Sequence, residues 1–162
     1  MYFSNAVFGW VHPPAFLVTS YMLAARTFVD TNVLVYAHNA DAGPKHDAAK
    51  RRVAELWAME DGVLSVQVLQ ELYVNVTRKI PRPLDRATAR ELLRVYGAWL
   101  CAPTGLQHIV RASEIEEANK LSFWDSLIIV SAATAGASVL LTEDLNHGQV
   151  VEGVRIENPF RQ

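Results

Sequence analysis

The chain has 162 residues and a mass of 18.0 kDa, the size of one ordinary domain. Apolar types make up 51% of it and charged types 20%, a balance that excludes intrinsic disorder and supports a real core. Fifteen Lys and Arg against seventeen Asp and Glu leave a net charge of −2, which excludes a polybasic protein that binds by net charge alone but not a local basic groove.

The first 25 residues contain no Lys, Arg, Asp or Glu. Pro14 to Ala25 is mostly apolar but shorter than the roughly 20 residues a membrane span needs, and a secretory signal would want a basic start. Residues 1–25 read as an N-terminal extension. Met22, just before the first organised segment, suggests that residues 1–21 are an upstream start or an expression remnant, or else an arm packing on a partner. Residues 26–162 read as the folded domain.

From Arg26 the pattern alternates strand and helix. Thr27-Phe28-Val29 is an apolar strand closed by Asp30, and Asp30-Thr31-Asn32 leads into a short helix over Val33–Tyr36. Lys45 to Met59 is amphipathic, with Ala49, Val53, Leu56 and Trp57 on one face and Lys50, Arg51, Arg52 and Glu55 on the other. Gly62-Val63-Leu64 is the second strand. Ser65 caps a helix to about Arg78 whose apolar side holds Val68, Leu69, Leu72 and Val76. Ile80-Pro81-Arg82-Pro83 is a breaker. Asp85 caps a helix to about Tyr96, with Leu92, Leu93 and Tyr96 inward. Trp99-Leu100-Cys101 is the third strand, and Gln107 to Asn119 is helical. Ser122-x-x-Asp125 has capping-box spacing ahead of an apolar helix that Gly136 stops. Val139-Leu140-Leu141-Thr142 is the fourth strand and Val154-Arg155-Ile156 a fifth. Short, uniformly apolar strands predict a mainly parallel sheet covered on both faces. The lone cysteine, Cys101, rules out an internal disulfide and a thiolate zinc cluster; it fits a small buried thiol in a reducing, cytoplasmic setting.

Ligands of an open α/β sheet bind beyond the carboxyl ends of its strands. Asp30 closes the first strand and Asp144 follows the fourth. Asp125 sits in a first helical turn expected at the same edge, and Glu71 lies two turns into the helix after the second strand. Each has an ordinary alternative: a cap for Asp30 and Asp125, a solvated helix position for Glu71, an acidic turn for Asp144. Together they are four carboxylates free to converge. Two like charges about 4 Å apart repel by about 4 kcal/mol at an effective dielectric of 20, so such a cluster calls for protons or a cation. Oxygen-only ligation, with five histidines scattered and none at ligand spacing, selects Mg²⁺ or Mn²⁺ over zinc.

Four segments, Phe28-Val29-Asp30-Thr31-Asn32-Val33-Leu34, Gln70-Glu71-Leu72, Phe123-Trp124-Asp125-Ser126-Leu127-Ile128 and Leu141-Thr142-Glu143-Asp144-Leu145, resemble in order and separation the PIN-domain family, and within it the VapC-type toxins of bacterial toxin–antitoxin pairs. The resemblance covers about Thr27 to Phe160. It implies an α/β/α sandwich around a mainly parallel sheet of about five strands, and an Mg²⁺- or Mn²⁺-dependent endoribonuclease leaving a 5′-phosphate and a 3′-hydroxyl. Carried over, Asp30 and Asp125 are the principal metal ligands, with Glu71 and Asp144 completing the acidic pocket directly or through water. Asn32 and Thr142 fall where the family keeps small polar residues that orient the carboxylates. The resemblance also implies a homodimer and a cognate antitoxin. The prefix departs from the family pattern, since these toxins usually begin within a few residues of the first aspartate.

Arg78, Lys79 and Arg82, around the Pro break, are expected RNA-phosphate contacts. Lys45, Lys50, Arg51 and Arg52 are weighed beside them, with a solvated helix face the stronger reading for the last three. Trp124 reads as core or dimer packing more than as a base-stacking platform. Three rivals frame the reading. A haloacid-dehalogenase-type phosphatase wants a second Asp where Asn32 stands. A receiver domain wants an Asp on a middle strand and a late Lys, but Trp99-Leu100-Cys101 offers no Asp and no Lys follows Lys120. A catalytically inactive PIN interaction module remains open.

Overall fold

The computed structural model describes residues 26–161, so the expectations for residues 1–25 lie outside the described residues. Among the described residues, six strands form one sheet: β1 (Arg26–Val29), β2 (Gly62–Ser65), β3 (Leu100–Ala102), β4 (Ala137–Leu141), β5 (Val150–Val151) and β6 (Val154–Glu157). Six helices connect them: α1 (Thr31–Ala37), α2 (Pro44–Met59), α3 (Val66–Arg78), α4 (Arg86–Tyr96), α5 (Leu106–Asn119) and α6 (Phe123–Thr134). The strand order is β3-β2-β1-β4-β6-β5. Five strands run parallel, as the uniformly apolar runs predict, and only β5 pairs antiparallel, with β6. That sixth strand has two residues, too few to show a period in sequence. It is joined to β6 through Glu152 and Gly153, both at positive φ (52° and 77°), the backbone that matches strand twist in a tight hairpin.

The connections fix where ligands bind. From β1 to β2 to β3 the chain steps in one direction across the sheet, then returns past β1 to place β4 on its other side. Right-handed crossovers put α1–α4 on one face and α5–α6 on the other. The helix contacts agree, with α1 against α2 and α3, α3 against α4, and α5 against α6. The order reverses between β1 and β4, which is the crevice position of an open α/β sheet.

Local chemistry explains most element ends. Asp30, Ser65, Asp85 and Ser122 each accept a backbone N–H in the first turn of the following helix. Ala135 caps α6, and Gly136 beyond it takes φ 72°, a conformation that favours glycine. The third strand begins one residue later than the sequence suggests because Trp99 turns inward. Its ring lies 5.0 Å from Trp57 and 5.3 Å from Tyr96, closing the gap between α2, α4 and β2. Gly62 is required there, since a Cβ at that position would lie 2.5 Å from the Trp99 ring. The core joins both layers through Phe28, Leu34, Leu64, Leu72, Ile129, Leu140 and Ile156, all fully buried. Among the described residues, no helix is long and apolar enough to cross a membrane.

Candidate active site at the switch point

Asp30 leaves the carboxyl end of β1. Its backbone N–H donates to Leu141 O at 3.0 Å, which extends the β1–β4 pairing one step and fixes the side chain between the two strand ends. Asp30 is 9% exposed. Oδ1 accepts from Thr31 N at 2.6 Å; Oδ2 accepts from Thr142 Oγ1 at 2.7 Å and from Asn32 Nδ2 at 3.0 Å. Thr142 is fully buried directly after β4, and its hydroxyl oxygen also accepts from Asp144 N.

Asn32 ties these groups together. Its amide nitrogen reaches Asp30 Oδ2, Thr142 Oγ1 at 3.1 Å and Asp144 Oδ2 at 2.9 Å. Three acceptors around one nitrogen fix the amide's orientation. The opposite oxygen, Asn32 Oδ1, is then buried with no partner.

Glu71 enters from α3. Thr31 Oγ1 donates to its Oε2 at 3.0 Å and Gln67 Nε2 to its Oε1 at 2.9 Å, while Asn75 Nδ2 bonds the Glu71 carbonyl. Gln67, Glu71 and Asn75 stand four residues apart, so they form one polar ridge along the helix. Sequence reasoning singled out only Glu71; the spacing was the signal that identifies the other two. Tyr36 was also missed, and nothing local marks it.

Asp30, Glu71 and Asp144 all line one cavity of about 300 Å³, with Thr31, Asn32, Tyr36 and Asn75. Burial pushes the Asp30 carboxyl up to about 6; the Thr142 and Thr31 hydrogen bonds oppose the rise, and the negative charges of Asp144 and Glu71 add to it. This is a cavity that disfavours its own negative charge.

Asp125 is not among the residues lining that cavity. It occupies the first turn of α6, where its Oδ2 accepts from Ser122 Oγ at 2.6 Å and its N–H donates back to Ser122 Oγ at 3.1 Å. The tight turn from α6 into β4 makes the two run antiparallel, so Asp125 shares the sheet edge with the other three acids but stays in its capping pair. Arg82 forks onto Asp41 at 2.7 and 2.9 Å, stapling the segment after α3 to the turn before α2. Arg78 ends α3, about 10 Å of helix rise beyond Glu71, with Lys79 following it, and neither lines the cavity. Trp124 is 63% exposed, so it is not core.

The donor chemistry suits a hard cation: the acids that line the cavity offer carboxylate oxygens, with no sulfur or imidazole beside them. Among the described residues, however, no three His, Cys, Asp or Glu side chains gather closely enough to hold an ion. The Asn32 amide stands between Asp30 and Asp144 instead. An ion held by one or two carboxylates and water, the habit of Mg²⁺, fits this arrangement; an all-protein cage does not.

A family model described as PIN domain matches residues 27–152. Ribonuclease VapC24 of Mycobacterium tuberculosis, in strains CDC 1551 / Oshkosh and ATCC 25618 / H37Rv, is 36% identical over 70 residues, 42% of this chain and 48% of the relative. The chain thus spans about half the length of the curated relatives it matches. A chain in the crystal structure of VapBC2 from Rickettsia felis bound to a DNA fragment from their promoter aligns at 19% identity, with a TM-score of 0.54, over 82% of this chain and 97% of that one; the likeness is one of fold.

Proposed function

The chain belongs to the PIN-domain family, and from that premise we propose that it is a metal-dependent endoribonuclease, a VapC-like toxin neutralised by a cognate antitoxin. The observation that carries the reading is the buried Asp30, held between two strand ends and facing Glu71 and Asp144 across one cavity. Asp30 is the principal ligand for Mg²⁺ or Mn²⁺, Asp144 and Glu71 complete the pocket directly or through water, and Asp125 is the fourth acid at the same edge. Only its Oδ2 accepts from Ser122, which leaves its Oδ1 to serve there. Asn32 and Thr142 orient Asp30, and Thr31 with Gln67 orients Glu71.

When bound, the cation supplies neutralisation of the scissile phosphate and activation of water. The protein's own share is positional. The paired donors on Asp30 and Glu71 keep both carboxylates from turning away from the cavity. Water attacks phosphorus as the bond to O3′ breaks, which leaves a 5′-phosphate and a 3′-hydroxyl. The VapBC2 neighbour and the VapC24 relatives support the toxin and antitoxin parts of the proposal. A homodimer acting in the cytoplasm is proposed with them.

The Asn32 amide that stands between Asp30 and Asp144 favours a second reading, an inactive interaction module. One experiment separates the two. Purified protein is incubated with a mixed RNA pool in Mg²⁺, Mn²⁺ or EDTA, beside Asp30→Asn. Metal-dependent cutting that the variant lacks supports the nuclease; equal cutting by both removes Asp30 from the site, and no cutting leaves the module.

A further inference from the structure

Tyr36 forms the wall between the acidic cavity and a second cleft. It lines the first, and its hydroxyl donates to Glu143 Oε1 at 2.5 Å and accepts from Lys45 Nζ at 3.3 Å. Lys45 is paired with Glu143 Oε2 at 2.5 Å and lies 4.7 Å from the Tyr36 ring centroid and 5.5 Å from that of Phe160. Lys45 then lines the second cleft, a space of about 320 Å³ between the first two turns of α2 and the C-terminal residues, with Asp47, Arg51, Phe160 and Arg161.

Arginines without a carboxylate partner occur elsewhere among the described residues, at Arg78, Arg86 and Arg90, but this cleft brings two such arginines to one space. Arg52, Arg82, Arg94, Arg111 and Arg155 each hold a carboxylate. Among the described residues Arg51 and Arg161 hold none, although Asp47 lines the same cleft. Lys45 is neutralised by Glu143, which leaves two unpaired guanidiniums facing one space. A phosphate suits them, since each offers a fork of donors to its oxygens. The cleft is tied to the acids through one ion pair, because Glu143, which holds Lys45, immediately precedes Asp144. A chain of net charge −2 with three carboxylates at its centre needs local attraction of this kind to hold a polyanion.

We infer that this cleft takes the phosphate adjacent to the scissile one, on a single-stranded RNA laid across Tyr36, and that Arg51 and Arg161 are substrate-positioning residues. The inference rests on the reading of the acidic cavity as a nuclease centre. The half-buried Phe160, edge-on to Tyr36 at 5.2 Å, gives the strand an apolar wall.

Binding of a fluorescent 12-nucleotide oligouridylate tests it in the Asp30→Asn background, so that no cutting intervenes. Arg51→Gln with Arg161→Gln should weaken binding about tenfold near 0.1 M salt, and should flatten the plot of log Kd against log salt by about 0.7 for each phosphate no longer neutralised. Arg90→Gln, an exposed arginine on α4 away from the cleft, is the control. In the otherwise unsubstituted enzyme the same pair should raise KM with kcat within twofold. Unchanged binding and salt slope would overturn the inference. So would equal weakening by Arg90→Gln, which reduces the effect to net charge, or failure of the intact cleft to bind the oligomer at all. If the cleft binds as described but the unsubstituted protein cuts no RNA with Mg²⁺ or Mn²⁺, the nuclease reading fails and the phosphate site stands.

Discussion

Asp30→Asn should abolish a pH dependence of stability that the native sequence carries. An aspartate in the unfolded chain titrates near 3.8, whereas burial lifts this one to about 6 in the folded state. Below pH 3.8 both states hold the proton and the group contributes nothing to the pH dependence. Between 3.8 and about 6 the native state keeps a proton that the unfolded state has released, so stability falls as pH rises; above 6 the loss is complete. The two values differ by about 2, and at 1.36 kcal/mol per pH unit the metal-free protein loses about 3 kcal/mol across that window. An asparagine in this place cannot ionise. Its oxygen can still accept from Thr31 N, but its NH₂ meets the Asn32 amide, a donor against a donor, which adds a pH-independent cost of about 1 kcal/mol. The diagnostic is therefore the shape of the difference curve. Urea unfolding of both proteins in EDTA, from pH 4 to 8, should show the variant gaining about 3 kcal/mol on the native sequence with no change of m-value. Adding Mg²⁺ at pH 7.5 should stabilise the native protein and leave the variant unmoved. A difference curve that stays flat would refute the picture of Asp30 as a desolvated acid crowded by Asp144 and Glu71.

Three other substitutions probe neighbouring parts of the site and the core. Thr142→Val removes a buried hydroxyl that serves Asp30, Asn32 and Asp144 at once. It should cost about 1–3 kcal/mol and raise the Asp30 titration further, as followed by carboxyl-carbon NMR in EDTA. Gly62→Ala drives a Cβ into the Trp99 ring and should cost about 1–3 kcal/mol by thermal or urea unfolding; a cost near zero would mean that the aromatic cluster gives way freely. Ser122→Ala removes the cap that accepts the Asp125 N–H and should lose about 1 kcal/mol, whereas Asp125→Asn keeps that bond and an oxygen for the Ser122 hydroxyl and should cost little. Only Asp125→Asn should abolish RNA cleavage, and if both variants cut alike then Asp125 is a cap and nothing more.

The elements and the acids were legible in sequence for different reasons. Ser65, Asp85 and Ser122 announce helix starts because a cap acts within three residues of itself, and apolar runs such as Val139–Leu141 announce buried strands. Asp30 and Asp144 were visible once strand ends were placed, because the parallel architecture puts all those ends on one edge. Asp125 was visible too, but its sequence carries two messages. The same Ser-x-x-Asp spacing that marks a family acid also marks a capping box, and in this conformation the cap holds the side chain.

The sequence by itself determined the class of fold, the family, and the oxygen-only character of the site, since each depends on residue type and short-range spacing. Tertiary structure decided which groups meet. Asn32 reaches Thr142 across 110 residues, Thr31 reaches Glu71 across 40, and Lys45 finds Glu143 across 98. Those pairings follow from strand order and register, which are set by how the whole core packs and have no signature in any local window. The two-residue β5 and the unpaired guanidiniums of Arg51 and Arg161 belong to the same category. A cation is paired or unpaired only when the rest of the chain has been folded around it.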